Sequence, residues 1–383
     1  MPEAFVVAGL RSPIARLDGE LASLDAQVLG AVVVRALAER LGDAAAEVCD
    51  VILATAAGPG GNLARRVALD AGLPVTVPGL TVDRQCGGGL DAIALACRLV
   101  QAGAGELYIA GGVESASTSS LRSEASVDGG RGGRRFFPRR MFAGGGYDDP
   151  GMAESAETIA AQLGISRERQ DTFAATSHAR AVAAQQTGSF DHEIVPCGFA
   201  TADSCPRPTL TAERIGRFPA IVTEGGTVTA ANASQIADGA AAVVVASRRM
   251  AERLGLQGLR HLDSTTAGVD PKLCGIGGVA AIQGLQQRDP GFDPAAVSHV
   301  AFTEAFASQI LATIDAVGFH QDRVNPQGGA IALGHPWAAS GAIQVVRLLA
   351  DLAGRPGASG LAVAAIAGGM GTAARFTVEE ATS

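Results

Sequence analysis

One pattern occurs twice in this chain and constrains its fold more than anything else. In its first copy Cys86 is followed by Gly87, Gly88 and Gly89, then by an apolar helical run, Leu90 to Val100, then by a buried strand-like run, Leu107 to Gly112, that ends in Gly-Gly. In its second copy His335 is followed by a helical run, Ala342 to Leu352, and a strand-like run, Leu361 to Gly369, again closed by Gly-Gly. Alternating helix and strand is an α/β pattern, and its repetition implies two similar halves. Face to face, such halves bring the starts of both helices together, and with them Cys86 and His335.

The first copy is the more telling. Leu80 to Val82 reads as a short strand bounded by Pro78 and Gly79, and Leu90, Ile93, Ala94, Cys97 and Val100 recur at helical spacing. A strand, a tight glycine turn and a helix set a thiol at a helix N-terminus, where unpaired N–H groups and the helix dipole favour thiolate over thiol. The same N–H groups suit the oxygen of a thioester under attack. The three glycines leave room for a ligand beside the sulfur. On this stretch alone, a buried structural cysteine at a β–α turn is the competing reading.

Composition narrows the alternatives. A chain of 383 residues, 47% hydrophobic, buries one large core or two to three domains, and with only 4% aromatics that core is built from Ala, Val, Ile and Leu. The net charge of −8 argues against general nucleic-acid binding. No apolar run is long enough to cross a bilayer. The strand-like run Ala4–Ala8 starts almost at once, which argues against a leader peptide. None of the six cysteines forms a C-x-x-C pair or keeps zinc-ligand spacing with histidine, so reduced thiols in a cytoplasm are expected, and no metal.

Strand-like and helical runs alternate up to residue 117. A polar, Gly- and Arg-rich stretch from Thr118 to Asp149 follows, then helical patterns at Ala153–Leu163 and Arg167–Gln186, the latter with Ser166 as its start signal. Alternation returns at about 238. We therefore expect a first half at 1–117, completed by about 238–258, an inserted domain at 118–237 and a second half at 259–383.

Four stretches resemble the thiolase family: Asp83-Arg-Gln-Cys86-Gly-Gly-Gly, Thr229-Ala-Ala-Asn232-Ala-Ser234, Thr303-Glu304-Ala-Phe306 and Gly334-His335-Pro336. Arg11-Ser-Pro-Ile14 and Gly111-Gly-Val-Glu-Ser115 fit as well, so the likeness spans nearly the whole chain. The resemblance implies a five-layered α-β-α-β-α sandwich of two similar halves, with a coenzyme A-binding loop domain inserted in the first. It implies a ping-pong reaction on acyl-CoA or 3-ketoacyl-CoA thioesters, by Claisen condensation or thiolytic cleavage, with no cofactor besides the coenzyme A of the substrate. Cys86 would be the acylated nucleophile and His335 its base, with the backbone N–H groups of Cys86 and Ala367 as an oxyanion hole. Ser234 would contact the pantetheine, arginines such as Arg134 and Arg135 its phosphates, and Met152 and Phe306 would line the acyl pocket. Acyl-CoA and CoA would be its partners, in a cytoplasmic homodimer or homotetramer serving fatty acid metabolism, with no nucleic acid or membrane involved.

The sequence departs from the family in ways that touch the chemistry. Where the family has Cys-x-Gly, with a second acid/base cysteine, this chain has Ala365-Ile366-Ala367. An alanine methyl moves no proton. Thr303 replaces the asparagine that holds the water of a second oxyanion hole, and its hydroxyl is a candidate for the same task. Gly88 replaces serine and would open space near the nucleophile. Cys274 replaces methionine in Pro271-Lys-Leu-Cys274-Gly-Ile-Gly-Gly. It either supplies the missing acid/base or, more simply, widens the pocket. The alternatives to thiolase chemistry are acyl transfer or thioester hydrolysis without carbon–carbon bond formation, and a CoA-binding partner subunit with little activity. Retention of Cys86 and His335 argues against the last.

Overall fold

The interior strands carry apolar side chains on both faces, which requires helices above and below the sheet. The computed structural model describes residues 2–120, 123–125, 134–136 and 141–379. Its strands are β1 (Ala4–Arg11), β2 (Ala15–Arg16), β3 (Asp50–Ala54), β4 (Gly79–Val82), β5 (Leu107–Glu114), β6 (Ser123–Ala125), β7 (Arg134–Phe136), β8 (Ala237–Ser247), β9 (Leu259–Gly268), β10 (His299–Phe302), β11 (Ser359–Ile366) and β12 (Met370–Val378). The main sheet runs β10-β11-β12-β9-β1-β8-β5-β3-β4, with β2 attached to β8.

That order is a repeat. In the first half β4, β3 and β5 are parallel, and β8 and β1 antiparallel to their neighbours. In the second, β10 and β11 are parallel, followed by antiparallel β12 and β9, and a parallel bridge from Val300 to Val324 stands where β4 would be. Within the main sheet the two halves pair through Phe5–Arg260 and Val6–Leu259.

Alternation along the strands builds the five layers. On β5, Leu107, Ile109 and Val113 face an outer core shared with helices Ala26–Leu41 and Leu63–Asp70, while Tyr108 and Ala110 face a central core. On β11, Leu361 and Val363 face a second outer core under helices Gly277–Arg288 and Ala307–Val317. The central core belongs to two helices, Gly88–Gln101 and Trp337–Leu352. Their close approach needs glycine: a Cβ on Gly89 would lie 2.6 Å from the Ala338 carbonyl oxygen, and one on Gly341 2.6 Å from the Leu90 nitrogen.

Both central helices begin earlier than their periodicity predicts, at Gly88 rather than Leu90 and at Trp337 rather than Ala342. The buried residues ahead of the predicted starts are only Gly, Ala and Ser, and such small residues leave no hydrophobic period to read. The second helix is buried almost all round, Arg347 included, whose guanidinium is met by Glu193 and by Asp351 at 2.8 Å.

Between β5 and β8 the chain forms the β6–β7 hairpin and the helices Met152–Leu163 and Arg167–Gln186. Ser166 starts the second of these, its Oγ accepting from the Arg169 N–H at 3.2 Å. No helix among the described residues is long and apolar enough to cross a membrane.

Candidate active site

Cys86 is the middle residue of a single 3-10 turn, Gln85–Gly87, that links β4 to the first central helix. Gln85 adopts φ 45°, a left-handed conformation, and is held there by Asp83, whose Oδ1 accepts from the Gln85 N–H at 2.8 Å. The helix that follows has no side-chain cap, so its first N–H groups stay unclaimed by side chains. Behind Cys86 the three glycines do not open onto ligand space, contrary to expectation. A Cβ on Gly87 would meet Ile366 at 2.3 Å and one on Gly88 would meet Ala54 at 2.7 Å. They are small because the protein packs against them, so Gly88 in place of serine does not enlarge the cleft.

His335 is brought to the same cleft by the second half. Its N–H donates to the Gln235 carbonyl at 2.8 Å, which ties it to the segment carrying Ser234. Nδ1 lies 2.6 Å from Ser340 Oγ in the second central helix. Nε2 has no partner although the residue is only 5% exposed. The tautomer with its proton on Nδ1, donated to Ser340, leaves the Nε2 lone pair free on the cleft side.

The cleft has a volume of about 820 Å³, and Cys86, His335, Cys274, Ala365 and Ala367 share its wall. Ala367 opens the turn from β11 to β12, where Gly368 takes φ 82° and a Cβ would lie 2.6 Å from the Phe142 carbonyl oxygen. Backbone N–H groups of Cys86 and Ala367 both reach the Cys86 sulfur.

Burial decides the protonation states. Desolvation pushes the Cys86 thiol up to about 12, a thiolate at neighbouring Cys274 would add to this, and the two N–H groups oppose it without prevailing. Desolvation also lowers His335 to about 4. The resting pair is therefore thiol and neutral imidazole, and the expected standing thiolate is not found. A helix N-terminus does not offset this desolvation, although Cys86 keeps part of its surface exposed.

Three polar networks hold these parts in place. Glu114, fully buried at the end of β5, accepts from the Ala56 and Ala57 N–H groups at 2.8 Å each and from Thr55 Oγ1 at 3.1 Å, with the Ala338 N–H at 3.4 Å. It joins the first half to the start of the second central helix. Glu304 accepts from Ser177 Oγ and Asn325 Nδ2, both at 2.7 Å, and from the Ile331 N–H at 3.2 Å, which fixes the segment leading to His335. Asn232 Nδ2 donates to Asp171 Oδ1 at 2.9 Å, and its carbonyl accepts from the Ala307 N–H at 2.9 Å, which sets Ser234 beside Phe306.

Ser234, Met152 and Phe306 line the cleft. Thr303 does not. Its Oγ1 accepts from Gln344 Nε2 at 2.6 Å, and it borders a separate small cavity behind Ser340, which leaves its hydroxyl turned away from the reacting pair. The side chains of Arg134 and Arg135 lie outside the described residues. Arg16 and Arg207, unremarked in the sequence, are the cations on the described cleft wall. Trp337, the single tryptophan, also lines it, at φ 25°.

Comparison with known proteins agrees with this architecture. The chain matches family models described as "Thiolase, N-terminal domain" over residues 4–249 and "Thiolase, C-terminal domain" over residues 258–378. It is 40% identical to an acetyl-CoA acetyltransferase of Cupriavidus necator, covering 97% of this chain and 98% of the relative. It is 41% identical to an acetyl-CoA acetyltransferase of Thiocystis violacea, covering 96% and 97%. The crystal structure of the Bacillus anthracis acetyl-CoA acetyltransferase is similar with a TM-score of 0.91, 34% identity and 99% coverage of both chains.

Proposed function

The chain belongs to the thiolase family, and we propose that it is an acyltransferase on coenzyme A thioesters that works through a Cys86 acyl-enzyme. The observation that carries the reading is the shared cleft of Cys86 and His335, with the buried Nε2 unpartnered. Neutral His335 takes the thiol proton through Nε2 as the Cys86 sulfur bonds to the acyl carbon. The carbonyl oxygen draws on the Cys86 and Ala367 N–H groups. As the carbon–sulfur bond to coenzyme A breaks, the imidazolium returns the proton to the leaving thiolate, giving CoA and the acyl-enzyme. Imidazole as base suits a thiol held near 12, because the proton leaves only as the new bond forms.

On this reading Ser234 contacts the pantetheine, Met152 and Phe306 bound the acyl group, and Arg16 and Arg207 meet the phosphates. The full cycle is condensation of two thioesters or thiolytic cleavage of a 3-ketoacyl-CoA, in a cytoplasmic homodimer or homotetramer of fatty acid metabolism. An oligomer is supported by β4, which ends the sheet with Leu80 exposed. Light scattering tests it, and a monomer at working concentration refutes it.

A second reading stops at acyl transfer or hydrolysis, and Ala365 is the observation that favours it, since its methyl stands where the family keeps a thiol. Intact-protein mass after mixing with a series of acyl-CoAs, followed by acetyl-CoA, separates the two. An adduct on Cys86 that resolves into a 3-ketoacyl-CoA supports the full cycle. One that ends only in free acid supports the second reading, and no adduct with any acyl-CoA refutes both.

A further inference from the structure

A carbon–carbon step needs a second proton-moving group, and Ala365 cannot be that group. Apart from the two arginines, the titratable residues on the described cleft wall are Cys86, His335 and Cys274. Cys274 lies in the 3-10 turn Pro271–Ile276 that precedes the Gly277–Arg288 helix, a setting like that of Cys86. Its sulfur is 3.3 Å from Ser155 Oγ, and the backbone N–H groups of Cys274 and Gly275 also face it.

Ser155 has one proton and two places to put it. Its hydroxyl donates to the Lys272 carbonyl at 2.8 Å, which leaves Oγ to accept from the Cys274 S–H. When Cys274 loses its proton, the same hydroxyl can turn to the sulfur, so the thiolate has three donors: Ser155 and the two N–H groups. A cysteine that only fills space needs no such arrangement. Burial raises the Cys274 thiol, as it does Cys86, so it rests protonated and needs a partner to take the proton. His335, with Nε2 unpartnered and lining the same cleft, is the base available to take it.

We propose that Cys274 is the second acid/base of this cleft, exchanging the α-proton of the second acyl thioester in place of the thiol lost at Ala365. The inference rests on the Cys86 acyl-enzyme reading. With Cys86 acylated, the Cys274 proton passes to His335 Nε2, leaving a thiolate and an imidazolium. The thiolate removes an α-proton from acetyl-CoA and becomes a thiol again, while the imidazolium N–H receives the enolate oxygen. The enolate carbon bonds to the acyl carbon as the bond to Cys86 sulfur breaks. The imidazolium proton then goes to the Cys86 thiolate, and 3-ketoacyl-CoA is released with all three groups in their starting states.

The test compares wild type with Cys274→Ser, Cys274→Ala, Cys274→Met and Ser155→Ala. Three rates are followed: acylation of Cys86 by intact mass, deuterium uptake into acetyl-CoA from heavy water, and 3-ketoacyl-CoA formation. We expect exchange and condensation, each divided by the acylation rate of the same protein, to fall about 100-fold or more in all three Cys274 variants. Cys274→Ser preserves size and Cys274→Met restores bulk, so a loss in both assigns the effect to the thiol. Ser155→Ala removes a donor to the thiolate, and the exchange profile should move to higher pH. Exchange in Cys274→Ser at the wild-type ratio overturns the inference. So does a wild type that acylates Cys86 but neither exchanges nor condenses, an outcome that leaves the acyl-enzyme reading standing. A wild type without acylation overturns both.

Discussion

Strands β5 and β11 hold the same place in the two halves, yet the chain treats their ends in opposite ways. Beyond Glu114 it leaves the main sheet and rejoins it as a strand only at Ala237; beyond Ile366 it turns back at once and re-enters the sheet at Met370. The long excursion delivers side chains to the cleft, among them Met152, Ser155, Arg207 and Ser234. The tight turn delivers a backbone N–H at Ala367. Side chains can be exchanged one at a time, whereas a main-chain donor is fixed by the fold. On the proposed function, the excursion serves chiefly recognition, and the tight turn adds a main-chain donor for developing charge.

That division can be broken from either side. His335→Ala removes the base contributed by the second half, and the rate of Cys86 acylation should fall about 10³-fold by rapid-mixing mass measurement. A loss under tenfold would mean that another group takes the proton. Gly368→Val strains a φ of 82° and drives a Cβ into the Phe142 carbonyl, shifting the Ala367 N–H. We expect kcat for acylation to drop about 100-fold with a smaller change in KM, as when one oxyanion donor is lost. An equal change confined to KM would place Ala367 in substrate binding instead.

Glu114→Gln tests the joint between halves. It puts an amide where four donors converge, and should lower the unfolding free energy by about 2 kcal/mol in a urea titration. An unchanged midpoint would show that the joint carries no weight. The mildest effect concerns charge. A thiol held at about 12 gains thiolate steadily, so alkylation of Cys86 by iodoacetamide should climb about tenfold per pH unit between about pH 7 and 9. A plateau near neutrality would restore the standing thiolate. The base itself lasts to low pH: with His335 at about 4 its neutral form dominates above that value, so acylation should decline only as pH falls towards 4.

The repeat, the alternation of strand and helix and the meeting of Cys86 with His335 were legible because each rests on local periodicity or on a residue at the start of a helix. What was not legible depends on distant pairs. Glu114 and Ala338 are far apart in the chain, and nothing in Gly-Gly-Val-Glu-Ser says that the carboxylate caps a helix in the other half. Gly88 reads as open space until Ala54 is seen to fill it, and Thr303 reads as facing substrate until Gln344 is seen to claim it. The thiolate was misjudged for a related reason: a helix N-terminus shows in sequence, while the desolvation that outweighs it is a property of the assembled cleft. Arg16 and Arg207 carry no motif and are recognised only by where they end up.

Trp337 stands two residues beyond His335, in the wall of the cleft and against Ala54, Ala56 and Ala338. Because it is the only tryptophan, the intrinsic fluorescence of the whole protein under indole excitation comes from this one address. On the proposed function, arrival of a thioester, loading of Cys86 and departure of CoA should each alter the surroundings of that ring, so a stopped-flow trace of native emission should follow the cycle in real time without a label.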